Sequence, residues 1–315
     1  MQHYFMCSPA HLEQSQREDT NMKTISFLIL LGLIACRVLA YPSIAYQKIK
    51  VCGTVGHVVT VNLADPEVRV SVALARGGAG KSESFKSMVS RTRPAVALTG
   101  TFFDTKTLIP TGDIALFGTL VHSGCIGSAL CVDSSNKATI VPLHIGRKNN
   151  WTGYETVLCA GPTLIADGKV ALALKHEGFH RVAMYGKRRT AVGITKAGKL
   201  ILVCINRKTS LYNLAKFMLH LNTTSAVCLD GGSSTAFYHN GRYLAMPGRT
   251  LTNCLVVYKS SQDYLRAKDE LAPAKLLAKA ESKTKPKSDV NALAGIIPGL
   301  RPPDSSYPTI SAQRQ

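Results

Sequence analysis

The chain is short of acidic residues and of aromatics. Asp and Glu number 19 against 38 Lys and Arg, and a single Trp serves 315 residues. The formal charge of +19 points to phosphate-bearing substrates, anionic surfaces or nucleic acid, or to a solvated basic surface with no partner at all. No Lys/Arg block is interleaved with aromatic residues, as a base-stacking sheet requires, so nucleic acid is set aside. Cys-x-x-Cys spacing is missing, which argues against a structural zinc site. The HExxH, EF-hand and P-loop patterns are missing as well, and neither a metal nor a cofactor is expected. There is no internal repeat, and the one long apolar run, residues 25–35, is too short to span a bilayer.

That run has a use. Met22-Lys23 precedes it and Val38-Leu39-Ala40 follows, giving the charged, apolar and small-residue segments of a secretory signal cleaved after Ala40. Residues before Met22 read as an upstream extension. A second reading competes: Leu33-Ile34-Ala35-Cys36 has the form of a lipobox, which would leave the chain lipid-anchored through Cys36 and associated with a cell surface or envelope. Soluble export, secreted or periplasmic, is the favoured of the two. Export permits disulfides. Seven cysteines lie beyond Ala40, an odd number, and Cys125 with Cys131 forms the best local pair. Cys159, Cys204 and Cys228 sit in apolar runs and read as small buried residues.

Between the signal and a tail rich in Lys, Ala, Glu, Ser and Pro, one domain is expected at 48–260. Residues 51–63 and 68–75 alternate in period two around Asp65-Pro66-Glu67 and read as a hairpin. Further strands are expected at 95–99, 112–121, 128–132, 138–143, 156–160, 169–174, 190–195, 200–205, 226–230 and 253–258, with a hairpin turn at His239-Asn240-Gly241. Two helices stand out, at 84–91 and at 211–221, the second capped by Thr209 or Ser210. A surface helix interrupted near Pro273 opens the tail, which is otherwise expected to be disordered. Many strands and few helices make an α+β domain of mixed, mainly antiparallel sheets.

The densest chemistry lies in Ala226-Val227-Cys228-Leu229-Asp230-Gly231-Gly232-Ser233-Ser234-Thr235. An apolar strand ends in a carboxylate, then two glycines, then hydroxyls. Glycine permits positive φ and close backbone approach, and successive N–H groups in such a loop can hold an anion. The same segment can also be an ordinary Asp-Gly turn. It gains weight from a series of strand ends of the same kind: Gly100-Thr101-Phe102-Phe103-Asp104, Thr111-Gly112-Asp113, Ala160-Gly161-Pro162, Arg188-Arg189-Thr190, and Gly248-Arg249 through Asn253.

In order and wording these segments resemble the phosphodiester glycosidase family over residues 95–258, most specifically at Leu-Asp-Gly-Gly and Arg-Thr-Ala-Val-Gly. The resemblance implies hydrolysis at the anomeric carbon of a sugar-1-phosphodiester such as a GlcNAc-1-phosphodiester. A phosphate leaves as a stable anion, so the second carboxylate of ordinary glycosidases is less necessary. On this reading Arg189 and Arg249 clamp the phosphate, with Arg188 in reserve. Asp230 is the base or nucleophile and Asp104 its partner or a sugar-hydroxyl acceptor. Thr101, Asp113 and Asn253 face substrate, and Gly231, Gly232, Ser233 and Ser234 hold phosphate oxygens or position Asp230. The chain departs from the family pattern at Ser233 (usually Gly), Thr99 (often Asn) and Cys228 (usually Asn). The competing class is a non-catalytic binder of anionic or phosphorylated cell-envelope glycans. A P–O-cleaving phosphodiesterase, which would normally want metals, ranks third.

Overall fold

The computed structural model describes residues 42–124, 126–143, 149–179 and 184–276. The expected signal segment, Cys36, Cys125 and the tail beyond 276 lie outside the described residues. The strands, in chain order, begin with β1 (Ile44–Val51), β2 (Thr54–Val61), β3 (Arg69–Leu74), β4 (Val96–Thr99), β5 (Ile114–Leu116) and β6 (Thr119–His122). They continue with β7 (Ser128–Asp133), β8 (Ala138–Pro142), β9 (Tyr154–Ala160), β10 (Thr163–Ala166), β11 (Lys169–Val170) and β12 (Lys187–Thr195). The last are β13 (Leu200–Thr209), β14 (Thr223–Leu229), β15 (Phe237–His239), β16 (Arg242–Ala245) and β17 (Asn253–Tyr258). Among the described residues three α-helices accompany them: α1 (Phe85–Thr92), α2 (Leu211–His220) and α3 (Ser261–Leu271).

The strands form three antiparallel sheets: β1-β2-β13-β12-β14-β10-β11, β16-β15-β4-β17-β3, and β6-β5-β9-β7-β8. The domain is thus α+β and mainly antiparallel, as expected. One central core is shared by all three, with Val59, Leu98, Leu130, Leu158, Val192, Leu229, Phe237 and Leu255 among its members. Each such side chain contributes roughly 1.5–3 kcal/mol by leaving water. The outer face of the seven-stranded sheet is covered by α2 through Leu211, Leu214, Phe217 and Met218, spaced three and four apart. The β17–β3 face is covered by α1 and α3. All three helices start on a serine whose hydroxyl accepts an N–H of the first turn: Ser84 from Ser87 at 3.1 Å, Ser210 from Asn213 at 3.1 Å and Ser260 from Asp263 at 3.1 Å.

Several expectations are corrected by pairing. Residues 51–63 are not one strand: Cys52 and Gly53 both take positive φ, fold β1 onto β2 as a hairpin, and send β3 to β17 in another sheet. Residues 112–121 likewise break at Phe117-Gly118 into β5 and β6. The packed body also extends past 48–260 at both ends. β1 starts at Ile44, and α3 buries Tyr264, Ala267 and Leu271, spaced three and four residues apart on one face. Cys131 lies in a small cluster with Leu143 and Trp151 behind β7, and its expected local partner, Cys125, lies outside the described residues.

Candidate active site

The site is built where β14, β4, β12 and β17 end close together. β14 stops after Leu229 because Asp230 turns out of the ladder. Its N–H donates to Gly100 O at 3.0 Å and its carbonyl accepts the Thr190 hydroxyl. Gly100 in turn has no room for a side chain, since a Cβ there would lie 1.9 Å from Asn253 Oδ1. Asn253 is a buried brace rather than a group facing substrate. Its Oδ1 accepts from Thr101 N at 2.8 Å and its Nδ2 donates to Thr252 Oγ1 at 2.9 Å. Asn253 therefore fixes the loop that fixes the backbone of Asp230.

After Asp230 the chain passes against β12, where a Cβ on Gly231 would come within 2.6 Å of Arg188 O. Gly232, at φ +61°, opens a short 3-10 turn over Gly232–Ser234. Ser234 N closes it onto Gly231 O at 3.0 Å, and Gly248 N donates to Ser233 O at 2.8 Å, tying the turn to the Arg249 loop. The Asp230 carboxylate accepts from Gly231 N at 2.8 Å and from the Ser234 hydroxyl.

These groups form one side of a cavity of about 460 Å³. Lys187, Arg189 and Arg249 supply three cations and Asp230 the one carboxylate among the described lining residues. The rest of the lining is largely apolar, with Phe102, Phe103, Ile126, Pro162 and Phe179. Phe102 and Phe179 meet edge to face at 5.5 Å, and the Arg249 guanidinium lies 4.8 Å from the centre of the Phe103 ring. Arg189 is buried, and backbone oxygens aim it: Nε donates to Thr209 O at 3.3 Å and Nη2 to Tyr185 O at 2.6 Å.

Asp230 is enclosed by protein yet keeps a face on the cavity. Burial pushes its pKa up from 3.8 to about 6, against the lowering pull of Ser234, the Gly231 N–H, Arg249 and Lys187. A carboxylate with its pKa near neutrality, beside guanidinium groups, suits proton transfer in the presence of a bound anion.

Of the residues singled out from sequence, the structure brings together Asp230, Arg189, Arg249, Gly231, Gly232, Ser233 and Ser234. It does not bring in Asp104. That exposed carboxylate accepts Thr107 N at 2.7 Å, Lys106 N at 2.9 Å and Thr107 Oγ1 at 3.0 Å, which hold its pKa below the usual range and tie it to its own turn. Asp113 is buried on the third sheet, accepting Trp151 Nε1 at 2.7 Å and Gly124 N at 2.8 Å. Arg188 straps the turn from behind, with Nη2 donating to Met246 O at 3.0 Å, Thr235 O at 3.2 Å and Asn206 Oδ1 at 3.3 Å. Thr101 is buried beside Asn253, outside the cavity lining. Lys187 and the aromatic wall were not singled out as site residues. The Phe102-Phe103 pair lay inside a noted segment, whereas Phe179 follows Gly178 in a stretch with no motif.

The profile of the phosphodiester glycosidase family matches residues 92–258. An N-acetylglucosamine-1-phosphodiester alpha-N-acetylglucosaminidase from Bos taurus is 34% identical over 74 residues, which is 22% of this chain and only 14% of the bovine protein. Among solved structures, the fold is similar to the catalytic domain of the zebrafish N-acetylglucosamine-1-phosphodiester alpha-N-acetylglucosaminidase, captured auto-inhibited by its pro-peptide. The TM-score is 0.57 at 22% identity, over 70% of this chain and 84% of that one. A hypothetical protein from Synechocystis shares it too, with a TM-score of 0.54 at 16% identity over 68% of this chain and 61% of that one. At these identities the structural likeness is one of fold.

Proposed function

This chain belongs to the phosphodiester glycosidase family, and we propose that it hydrolyses the glycosidic C–O bond of a sugar-1-phosphodiester resembling a GlcNAc-1-phosphodiester. The observation that carries the reading is the pairing of one semi-buried carboxylate, Asp230, with three cations around a single cavity. Arg249 and Arg189 hold the phosphodiester oxygens and draw charge toward the phosphate as the bond lengthens. Water adds to the anomeric carbon, the C–O electron pair leaves with the phosphate, and the water proton passes to Asp230. The products are the free sugar and a phosphomonoester, and no acid is required on the leaving oxygen. If Asp230 attacks directly instead, a glycosyl ester forms and water then releases it with retention. The apolar wall of Phe102 and Phe179 offers a flat surface to the sugar ring. Export through the segment before residue 41 belongs to the same proposal.

The test is turnover of a GlcNAc-α-1-phosphodiester in ¹⁸O water, read by mass spectrometry, with Asp230→Asn alongside. Label in the free sugar, lost in the variant, is expected. Label in phosphate would mean P–O cleavage and overturn the mechanism. The anomer first released, followed by NMR, separates base from nucleophile. Saturable binding without turnover, dependent on Arg189, would leave a glycan-binding module.

A further inference from the structure

Two cations are enough to hold the single negative charge of a phosphodiester, and the cavity has a third. Lys187 lies at the first residue of β12, one residue before the Arg pair, and its side chain crosses the glycine turn: its Cδ is 3.9 Å from where a Cβ on Gly232 would lie. Its side chain is exposed at the cavity mouth and makes no hydrogen bond or ion pair among the described residues, and Asp230 is the opposite charge it faces, so three cations at the cavity stand against one carboxylate. Lys208 packs at the back of Gly186, with its Cβ 3.7 Å from where a Cβ on that glycine would lie, and Arg207 precedes it, both exposed and without a carboxylate in ion-pair reach among the described residues. Among the described residues the ion pairs join Arg76 to Glu270, Arg91 to Glu83 and Arg266 to Asp263, all around α1 and α3. Like charges in excess of their counter-charges repel one another unless a ligand or counter-ion supplies the opposite sign.

We propose that the substrate carries a second anionic group on the leaving side of the scissile phosphodiester, and that Lys187, backed by Lys208, reads it. The inference rests on the sugar-1-phosphodiester reading above and narrows its substrate class to doubly anionic esters. Phe102, Ile126, Pro162 and Phe179 line the cavity without charge and suit a neutral sugar ring, so the second charge belongs to the aglycone rather than to the sugar. A phosphate and a carboxylate both meet the requirement, and they differ in geometry enough for kinetics to separate them.

The experiment compares kcat/KM for three GlcNAc-α-1-phosphodiesters at low ionic strength. One has a methyl aglycone, one an aglycone ending in a carboxylate, and one an aglycone ending in a methyl phosphodiester. The native protein is expected to prefer at least one doubly charged ester by about tenfold, and added salt should erode that preference. Lys187→Met should bring the ratio of doubly to singly charged esters close to unity, whatever its absolute rate, and Lys187→Arg should restore it. Equal rates on all three in the native protein would overturn the inference while leaving the phosphodiester reading intact. A preference that survives Lys187→Met would remove Lys187 from the role. Turnover of none of the three would refute the underlying reading, and this inference with it.

Discussion

Replacing Asp230 by Asn should make the protein more stable while removing its activity, and the gain should depend on pH in a defined way. Burial raises the carboxyl pKa from 3.8 to about 6. At about 1.36 kcal/mol per unit, the ionised carboxylate costs the native state about 3 kcal/mol. The sign follows from proton binding. The native state holds the proton more tightly than the unfolded chain, so Asp230 lowers stability as pH rises from about 4 to about 6 and the full cost stands above that. Asn keeps the shape and can still accept the Gly231 N–H, but it never ionises. The variant should match its parent near pH 3.5 and exceed it by about 3 kcal/mol at pH 7.5, a Tm gain of roughly 6–12 °C for a domain of this size. Urea unfolding of both proteins across pH 3.5–8 measures it. A gain that is absent at pH 7.5, or equal at every pH, would show that Asp230 is not held in a desolvating site, and the argument for a poised base would go with it.

The same titration should appear in catalysis. If Asp230 acts ionised, kcat/KM rises with pH through an apparent pKa of about 6, and a profile that instead falls through that value would make Asp230 an acid. Arg249→Ala should lower kcat/KM by about a hundredfold or more through lost phosphate contact, and should move that rise to higher pH because a lowering influence on Asp230 is gone, whereas Arg249→Lys should recover only part. Thr99→Val keeps the volume but leaves Ser234 O and Ala236 N without their partner, so urea unfolding should record a loss of about 2–4 kcal/mol. A loss under about 0.5 kcal/mol would mean that water or a shifted backbone replaces the hydroxyl.

The parts of this protein legible in its sequence are those whose cause is local. Apolar residues three and four apart make α1 and α2 legible nearly to the residue, with a capping hydroxyl before the second, because one-sided burial and capping are written within a single turn. The Leu229-Asp230-Gly231-Gly232 segment was legible for the same reason: strand end, carboxylate and glycines are consecutive. Strand partners were not. Alternation in β2 and β3 says that each has a buried face but not which strand lies beside it, and β3 found β17 some 180 residues away. Asp104 and Asp113 were chemically as eligible as Asp230. What separates them is their hydrogen-bond partners, Thr107 at three residues and Trp151 at 38, and the second of these is invisible until the chain is folded. Lys187 carried the weakest signal of all, a lysine before two arginines, and only the fold shows that it overhangs the cavity.

The two departures from the family pattern that replace an asparagine are each absorbed by their surroundings. Thr99 is fully buried at the end of β4, and its single hydroxyl both donates to Ser234 O and accepts from Ala236 N at 2.9 Å, so it pins both sides of the turn that carries Ser234. A hydroxyl can do both at once because it is donor and acceptor in one atom. Cys228 points away from the central core into the cluster beneath α2, where burial pushes its thiol up to about 12 and keeps it neutral beside Arg189. A neutral group there adds no charge to compete with a bound phosphate for the guanidinium. Asp230 is left as the carboxylate at the cavity, and the residues that replace asparagine on either side of it serve its placement without adding a second acid.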